Sequence, residues 1–330
     1  MPFMAEAILE NIFDSVNFSF EKTALSVFRY QYTHNPVYKQ FVDLLKVNPD
    51  DVQTMEKIPF LPIEFYKSHK IITDNAEIQK VFESSGTTDS IRSKHFVADL
   101  NLYKQAAVSI FEQTYGDLSQ WTILALLPSY LERDNSSLVY MVDDFIKKTQ
   151  AVDSGFYLDH PEQLVQKLLS LKEQGKKVLL IGVTFALLDL AEQFPADLSG
   201  ITIMETGGMK GRREDMQRSE IHAILSNAFR VNVIHSEYGM TELLSQAYSK
   251  GNGIFEDSRY LKVLKREINE PTKVSASVGR GGLNVIDLAN IYSCSFIATE
   301  DVVNILPNNQ FEVLGRLDYA EMRGCNMLVI

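Results

Sequence analysis

Near-continuous apolar runs of strand length alternate, through the middle of the chain, with segments whose apolar residues recur at helical spacing. Trp121 to Leu127 ends at Pro128, Lys177 to Val183 and Ile201 to Met204 follow, and Val231 to Ile234 is a fourth run. Runs without polar alternation suit strands buried on both faces. Between them, Asp99 to Tyr115, Phe185 to Phe194 and Glu214 to Phe229 read as helices. Another opens at His160-Pro161-Glu162, carries Leu164, Leu168 and Leu171 on its apolar side and closes at Gly175. This alternation predicts parallel crossover units: an α/β fold of layered, mostly parallel sheets flanked by helices, with ligands beyond the carboxyl ends of the strands.

The two ends of the chain differ from its middle. Residues 1–75 are helical in pattern and rich in aromatics (Phe13, Phe18, Phe20, Phe28, Tyr30, Tyr38), which predicts core packing, with Asn35-Pro36 and Asn48-Pro49 as punctuation. Ile58 to Lys67 reads as an extended apolar segment because its prolines forbid regular helix. Beyond Gly251 glycines cluster, and the runs Leu283 to Leu288, Ser293 to Ala298, Val302 to Leu306 and Phe311 to Leu314 predict a small antiparallel sheet or barrel. The expected organisation is a helical region 1–75 packed on the core, an α/β core 76–250 and a β-rich subdomain 251–330.

Composition narrows the function classes. The 330 residues are 45% apolar and 23% charged, with a net charge of −11, so no general basic field draws the chain to nucleic acid or an anionic membrane. No apolar run reaches membrane-spanning length and the start lacks a secretory signal pattern, giving a cytoplasmic expectation. Cys294 and Cys325 are the two cysteines, which excludes a disulfide framework and offers no zinc-ligand spacing.

The candidate chemistry lies in polar stretches between the apolar runs. Glu83-Ser84-Ser85-Gly86-Thr87-Thr88-Asp89-Ser90 follows Val81-Phe82, and a glycine among hydroxyls lets backbone amides and side-chain donors converge on phosphates. Glu205-Thr206-Gly207-Gly208-Met209-Lys210-Gly211 has paired glycines that allow close approach to a flat ligand, or simply a tight turn. His235-Ser236-Glu237-Tyr238-Gly239-Met240-Thr241-Glu242 puts a stacking aromatic and a magnesium-binding carboxylate within five positions. Thr299-Glu300-Asp301 and Gly315-Arg316-Leu317-Asp318, each expected in a loop after a strand, offer a carboxylate for ribose hydroxyls and an arginine for phosphate or ribose. Any one of these alone reads more readily as a solvated charge.

In this order they resemble the motifs of the adenylate-forming superfamily of acyl-coenzyme A synthetases and luciferases. Ser84-Ser85-Gly86-Thr87-Thr88 resembles its phosphate loop, Tyr238 to Glu242 its Y-G-x-T-E motif, Thr299-Glu300-Asp301 its T-G-D motif and Gly315 to Asp318 its G-R-x-D motif. More narrowly, Ile58 to Lys67, Glu205 to Gly211, Glu300 in place of glycine and the ending Arg323-Gly324-Cys325-Asn326 resemble the LuxE-like acyl-protein synthetases of bacterial bioluminescence. Two departures stand out: Asp89 replaces the glycine that usually ends the loop, and the chain stops twelve residues after Asp318, without the mobile C-terminal domain and catalytic lysine of larger relatives.

The resemblance implies ATP and magnesium as cofactors and a carboxylic, fatty acid as substrate. Ser84, Ser85, Gly86, Thr87 and Thr88 would hold the phosphates, Glu242 the magnesium, Gly207, Gly208 and Tyr238 the adenine with Gly239 and Thr241 beside them, and Asp301 and Arg316 the ribose. Lys210 would replace the missing lysine, Leu126 to Tyr130 with His235 would line an acyl pocket, and Cys325 would accept the acyl group and pass it to a partner acyl reductase. Two other readings stay open at this stage: an acyl- or aryl-coenzyme A ligase, and a non-catalytic nucleotide-binding subunit.

Overall fold

The structure, a computed structural model, describes residues 2–13, 18–74, 76–85, 91–128, 133–207 and 216–317. The chain opens on three helices, α1 (Pro2–Phe13), α2 (Phe20–His34) and α3 (Pro36–Leu44). Ser19 caps α2, and Asn35 both ends α2 and caps α3, whose first residue is Pro36. Both are side chains that satisfy otherwise unpaired helix N–H groups. Phe28, Tyr30 and Tyr38 of this region pack inward as expected, whereas Phe13, at the end of α1, is 40% exposed; Phe28 lies edge-on to Phe296, and Tyr38 stacks on the same ring at 5.9 Å. The proline-rich segment then forms a two-residue strand, β1 (Leu61–Pro62), followed by a single helical turn, α4 (Phe65–Ser68). The turn departs from the extended path expected through Lys67, because no proline follows Pro62 within it.

A hairpin of β2 (Lys80–Glu83) and β3 (Lys94–Val97) stands apart as its own antiparallel pair and delivers the chain to and from the Ser/Thr loop. The layered part follows: α5 (Leu100–Tyr115), β4 (Thr122–Leu126), α6 (Ser137–Thr149), β5 (Gly155–Phe156), α7 (Pro161–Glu173), β6 (Val178–Val183), α8 (Thr184–Gln193), β7 (Thr202–Thr206), α9 (Arg218–Phe229) and β8 (His235–Tyr238). Every residue of β4 and β6 is buried, which is why their sequences show no polar alternation. Strands β5, β4, β6, β7 and β8 are parallel neighbours in that order. Helix α6 was not foreseen.

The last strands are β9 (Ala247–Ser249), β10 (Ile254–Glu256), β11 (Leu261–Arg266), β12 (Val274–Ser275), β13 (Gly279–Asp287), β14 (Phe296–Leu306) and β15 (Gln310–Arg316). They are antiparallel, and they join the parallel strands edge to edge through the β8–β9 pair, so that thirteen strands form one mixed sheet. Two local expectations are corrected. Val231 to Ile234 is not a strand: after the left-handed Arg230 that ends α9, Val233 is exposed, and pairing with β7 begins at His235. Ser293 to Ala298 and Val302 to Leu306 are not two strands with a loop between them: residues 296–306 form one strand with a bulge at Val302/Val303, so Thr299, Glu300 and Asp301 sit on a strand, and Gly315 and Arg316, also expected in a loop, pair with Val302 and Asp301 at the end of β15. Among the described residues no helix is long and apolar enough to cross a membrane.

Candidate active site

Pleating sorts the polar residues of β8 by face. Ser236 lies 3.4 Å from His222 of α9, and the Tyr238 ring packs edge-on to Phe255 on that same side. His235 and Glu237 point the other way, His235 against the Tyr115 hydroxyl of α5. Thr206 of β7 is the register partner of Glu237 and donates its hydroxyl to Glu237 Oε2. Glycine directly after Tyr238 leaves room for the Glu237 carboxylate, since a Cβ on Gly239 would displace Glu237 Oε1.

The turn that follows is fixed from below. Fully buried Asp287 accepts from the N–H groups of Leu244 (2.7 Å) and Ser245 (3.1 Å) and from the Ser245 hydroxyl (2.6 Å). Asn290 Nδ2 donates to the Glu242 carbonyl at 2.7 Å, and His95 Nδ1 lies 2.8 Å from the Thr241 carbonyl. His95 Nε2 faces a second acceptor, Asn290 Oδ1, at 2.9 Å, an arrangement that would favour the protonated ring. Burial outweighs it and pushes the imidazole down to about 4, which favours the neutral ring.

These bonds present Glu242, which is 5% exposed. Burial raises its carboxyl above the ordinary range, opposed by the nearby Ser93 hydroxyl and by the charges of Lys67 and Arg316. Ser93 also pairs with the start of the Ser/Thr loop: its N–H donates to Ser84 Oγ at 3.0 Å, and its carbonyl accepts from the Ser84 N–H at 3.1 Å. Ser84 and Glu242, 158 positions apart in sequence, thus share one neighbour. Ser85 is exposed beside them.

On the other side the Tyr238 hydroxyl donates to Asp301 Oδ2 at 2.7 Å. Burial raises the Asp301 carboxyl, and the Tyr238 bond and Arg316 oppose that. Arg316 is the register partner of Asp301 on β15. Its side chain, 76% exposed, lies 3.0 Å from Glu300 and 4.0 Å from Asp301, so it leans toward Glu300. At the end of β7, Gly207 is exposed with φ +70°, and its carbonyl accepts from the Thr184 hydroxyl at 2.6 Å. The same hydroxyl reaches Glu205 Oε2 at 3.0 Å. Burial would raise the Glu205 carboxyl, but His222 at 3.6 Å and Arg218 at 3.4 Å bring it below the ordinary range.

Tyr238, Gly239, Thr241, Glu242, Asp301, Arg316 and Ser84 are therefore linked through direct or single-neighbour contacts, with Gly207 at the end of the strand adjoining β8. Gly86, Thr87, Thr88, Gly208, Lys210, Asp318 and Cys325 lie outside the described residues. Cys294 is buried, and burial pushes its thiol up to about 12, which makes it a packing residue. A cavity of about 420 Å³ opens at the carboxyl ends of β4 and β6, lined by Leu126, Pro128, Val139, Val183 and Leu190 with Arg133. His235 is not among its lining residues. The supporting residues Ser93, His95, Asp287, Asn290 and Arg218 carry no signal in the sequence, because each is an isolated polar residue whose partner is supplied by the fold.

Among the described residues no group of three His, Cys, Asp or Glu side chains could hold a metal ion. Glu242 fits the other mode, in which one buried carboxylate joins a magnesium ion whose remaining ligands are phosphate oxygens and water.

The family described as acyl-protein synthetase, LuxE, matches residues 7–329. The chain is 24% identical to the long-chain-fatty-acid–luciferin-component ligase of Aliivibrio fischeri, covering 92% of this chain and 86% of that one. It is 23% identical to the ligase of the same name from Vibrio harveyi, covering 90% and 84%. Among solved structures it resembles an open conformation of 2-hydroxyisobutyryl-CoA ligase in complex with 2-HIB-AMP and CoA (TM-score 0.64, 14% identity, 91% of this chain and 70% of that one). It also resembles ATP-bound MatB from Rhodopseudomonas palustris (TM-score 0.57, 12% identity, 73% of this chain), of which it spans about half, 48%. The fold is that of adenylate-forming ligases, and the chain belongs to the LuxE family of acyl-protein synthetases.

Proposed function

We propose that the protein activates a carboxylic acid, a long-chain fatty acid by analogy with the named relatives, as an acyl adenylate, and then carries the acyl group on Cys325 for delivery to a partner acyl reductase. The observation that carries this reading is the meeting of Ser84, Glu242, Tyr238, Asp301 and Arg316 at one edge of the sheet. A carboxylate is a poor electrophile because its oxide leaves badly. Attack of its oxygen on the α-phosphorus of ATP forms the acyl–phosphate bond and breaks the bond to the β-phosphate, releasing pyrophosphate. Positioning and charge neutralisation do most of this work.

In this scheme Ser84 to Thr88 enclose the phosphates, Gly207, Gly208 and Tyr238 frame the adenine, and Asp301, held by Tyr238, accepts from the ribose hydroxyls beside Arg316. Lys210 neutralises charge from the Gly-Gly loop. Magnesium, when bound at Glu242, would lower the charge on the phosphates. The acid's tail enters the cavity beside β4 and β6, whose wall at Ser136 adjoins Asn135, a partner of Glu83 at the base of the phosphate loop. In the second step the Cys325 thiol loses its proton, its sulfur attacks the acyl carbon and AMP departs; the resulting thioester stays reactive enough to pass on.

The likeness to a coenzyme A ligase supports one competing reading, thioester formation on coenzyme A. Mass spectrometry of the protein incubated with ATP, magnesium and a panel of carboxylic acids separates the two. The proposal expects an acyl adduct on Cys325 that is absent from Cys325→Ser. Unimpaired turnover of that variant with coenzyme A would favour the ligase reading instead.

A further inference from the structure

One segment beside this site has no role in the scheme above. β1 pairs in parallel with β14 at Ile297 and Ala298, and the Ile63 N–H donates to the Ala298 carbonyl at 3.0 Å. The chain is thereby led past Thr299, Glu300 and Asp301, where it makes the single turn α4. Tyr66 fixes that turn: it is buried, its hydroxyl lies 3.4 Å from the Cys294 carbonyl, and its ring is edge-on to His95, which holds Thr241. Glu64 and Lys67, three apart, share one side of the turn. The Glu64 carboxyl adjoins that of Glu300, whose other neighbour is Arg316 at 3.0 Å. Burial raises the carboxyls of both Glu64 and Glu242, and the Lys67 charge opposes it in both. Lys67 is exposed, and among the described residues no carboxylate lies within 4.0 Å of its ammonium.

A lysine on a turn packed against Ala298 and His95, beside the strand that carries Glu300 and Asp301, yet with no carboxylate among the described residues within 4.0 Å, is placed to meet an anion brought there by a ligand. We propose that Lys67 is a phosphate-binding residue, its ammonium contacting the triphosphate of ATP beside Glu242. This rests on the reading that the site binds ATP. The ammonium donates to a phosphate oxygen and offsets the charge that builds up as the α-phosphorus is attacked, and no bond to the lysine forms or breaks.

Calorimetric binding of magnesium-ATP and of adenosine to the full chain tests it, comparing wild type with Lys67→Met and Lys67→Arg. The methionine variant should bind ATP about 10- to 100-fold more weakly, the scale of a charge-assisted hydrogen bond. Adenosine affinity should be equal in all three proteins, and arginine should restore most of the ATP affinity. Equal ATP affinity in wild type and Lys67→Met would overturn the assignment while leaving the ATP site intact. An equal loss for adenosine would also overturn it, since the lysine would then act by shaping the turn. Absence of ATP binding by the wild type would remove the nucleotide reading along with it.

Discussion

Among the described residues, no cation pairs with the Glu237 carboxyl. Thr206 donates to it, the tyrosines 103 and 248 and the carboxyl of Glu205 face it, and burial pushes it up to about 7 from 4.5. A raised carboxyl favours the folded state while protonated: the contribution is complete below pH 4.5 and is lost as the pH rises through 7. Glu237→Gln removes that loss. Urea unfolding should therefore show the variant gaining about 2 kcal/mol relative to wild type between pH 5 and pH 8. A constant difference across the range would mean that Glu237 is ionised throughout. Asp257 and Asp287, each pushed by burial up to about 6, weaken the wild type in the same direction, so the comparison must be made variant against wild type.

At the level of elements, the carboxyl edge of the sheet depends on close approach between β6 and α8. A Cβ added to Gly182 would stand 2.9 Å from Leu187 Cγ and 3.0 Å from Leu126 Cβ, with both leucines buried in the core. Gly182→Ala should cost about 1–3 kcal/mol in chemical unfolding, the usual penalty of overpacking, and wild-type stability in the variant would show that β6 and α8 can separate freely. The same closeness places Thr184, the first residue of α8, where its hydroxyl can reach both Glu205 and the Gly207 carbonyl. The helix start thus orients the loop proposed to face adenine.

Across the whole molecule, the N-terminal helices are part of the site's foundation. Gln31 of α2 donates to the carbonyls of Asn290 (3.0 Å) and Ile291 (2.9 Å), and its Oε1 accepts from the Ser295 N–H at 3.0 Å. Asn35 donates to the Ser293 carbonyl at 2.8 Å. Asn290 is the residue that holds the Glu242 carbonyl and faces His95. Gln31→Leu leaves several buried backbone groups unpaired, so it should lower stability by about 2–4 kcal/mol. It should also raise hydrogen exchange in residues 239–245, more than 200 positions along the chain from the mutation. Unchanged exchange there would mean that the latch supports only its own layer.

Separations of that kind decide which features could be read before folding. The apolar runs of β4 and β6, the caps at Asn35 and Asp99 and the motif around Tyr238 are local patterns, and local patterns determine strand, helix and turn with little help. The β8 strand escaped notice because His235, Ser236 and Glu237 are polar, and they are buried only because α5, α9 and β7 supply their partners. Residues 299–301 looked like a loop because polar side chains interrupt the apolar pattern, yet pairing with β13 and β15 carries one strand through them. The residues by themselves determined the helical and stranded segments and the chemical inventory. Tertiary structure alone decided that Ser93 joins Ser84 to Glu242, that Asp287 and Asn290 brace the turn between them, and that the turn carrying Lys67 packs against Ala298 and His95, since each requires packing between segments that no local propensity brings together.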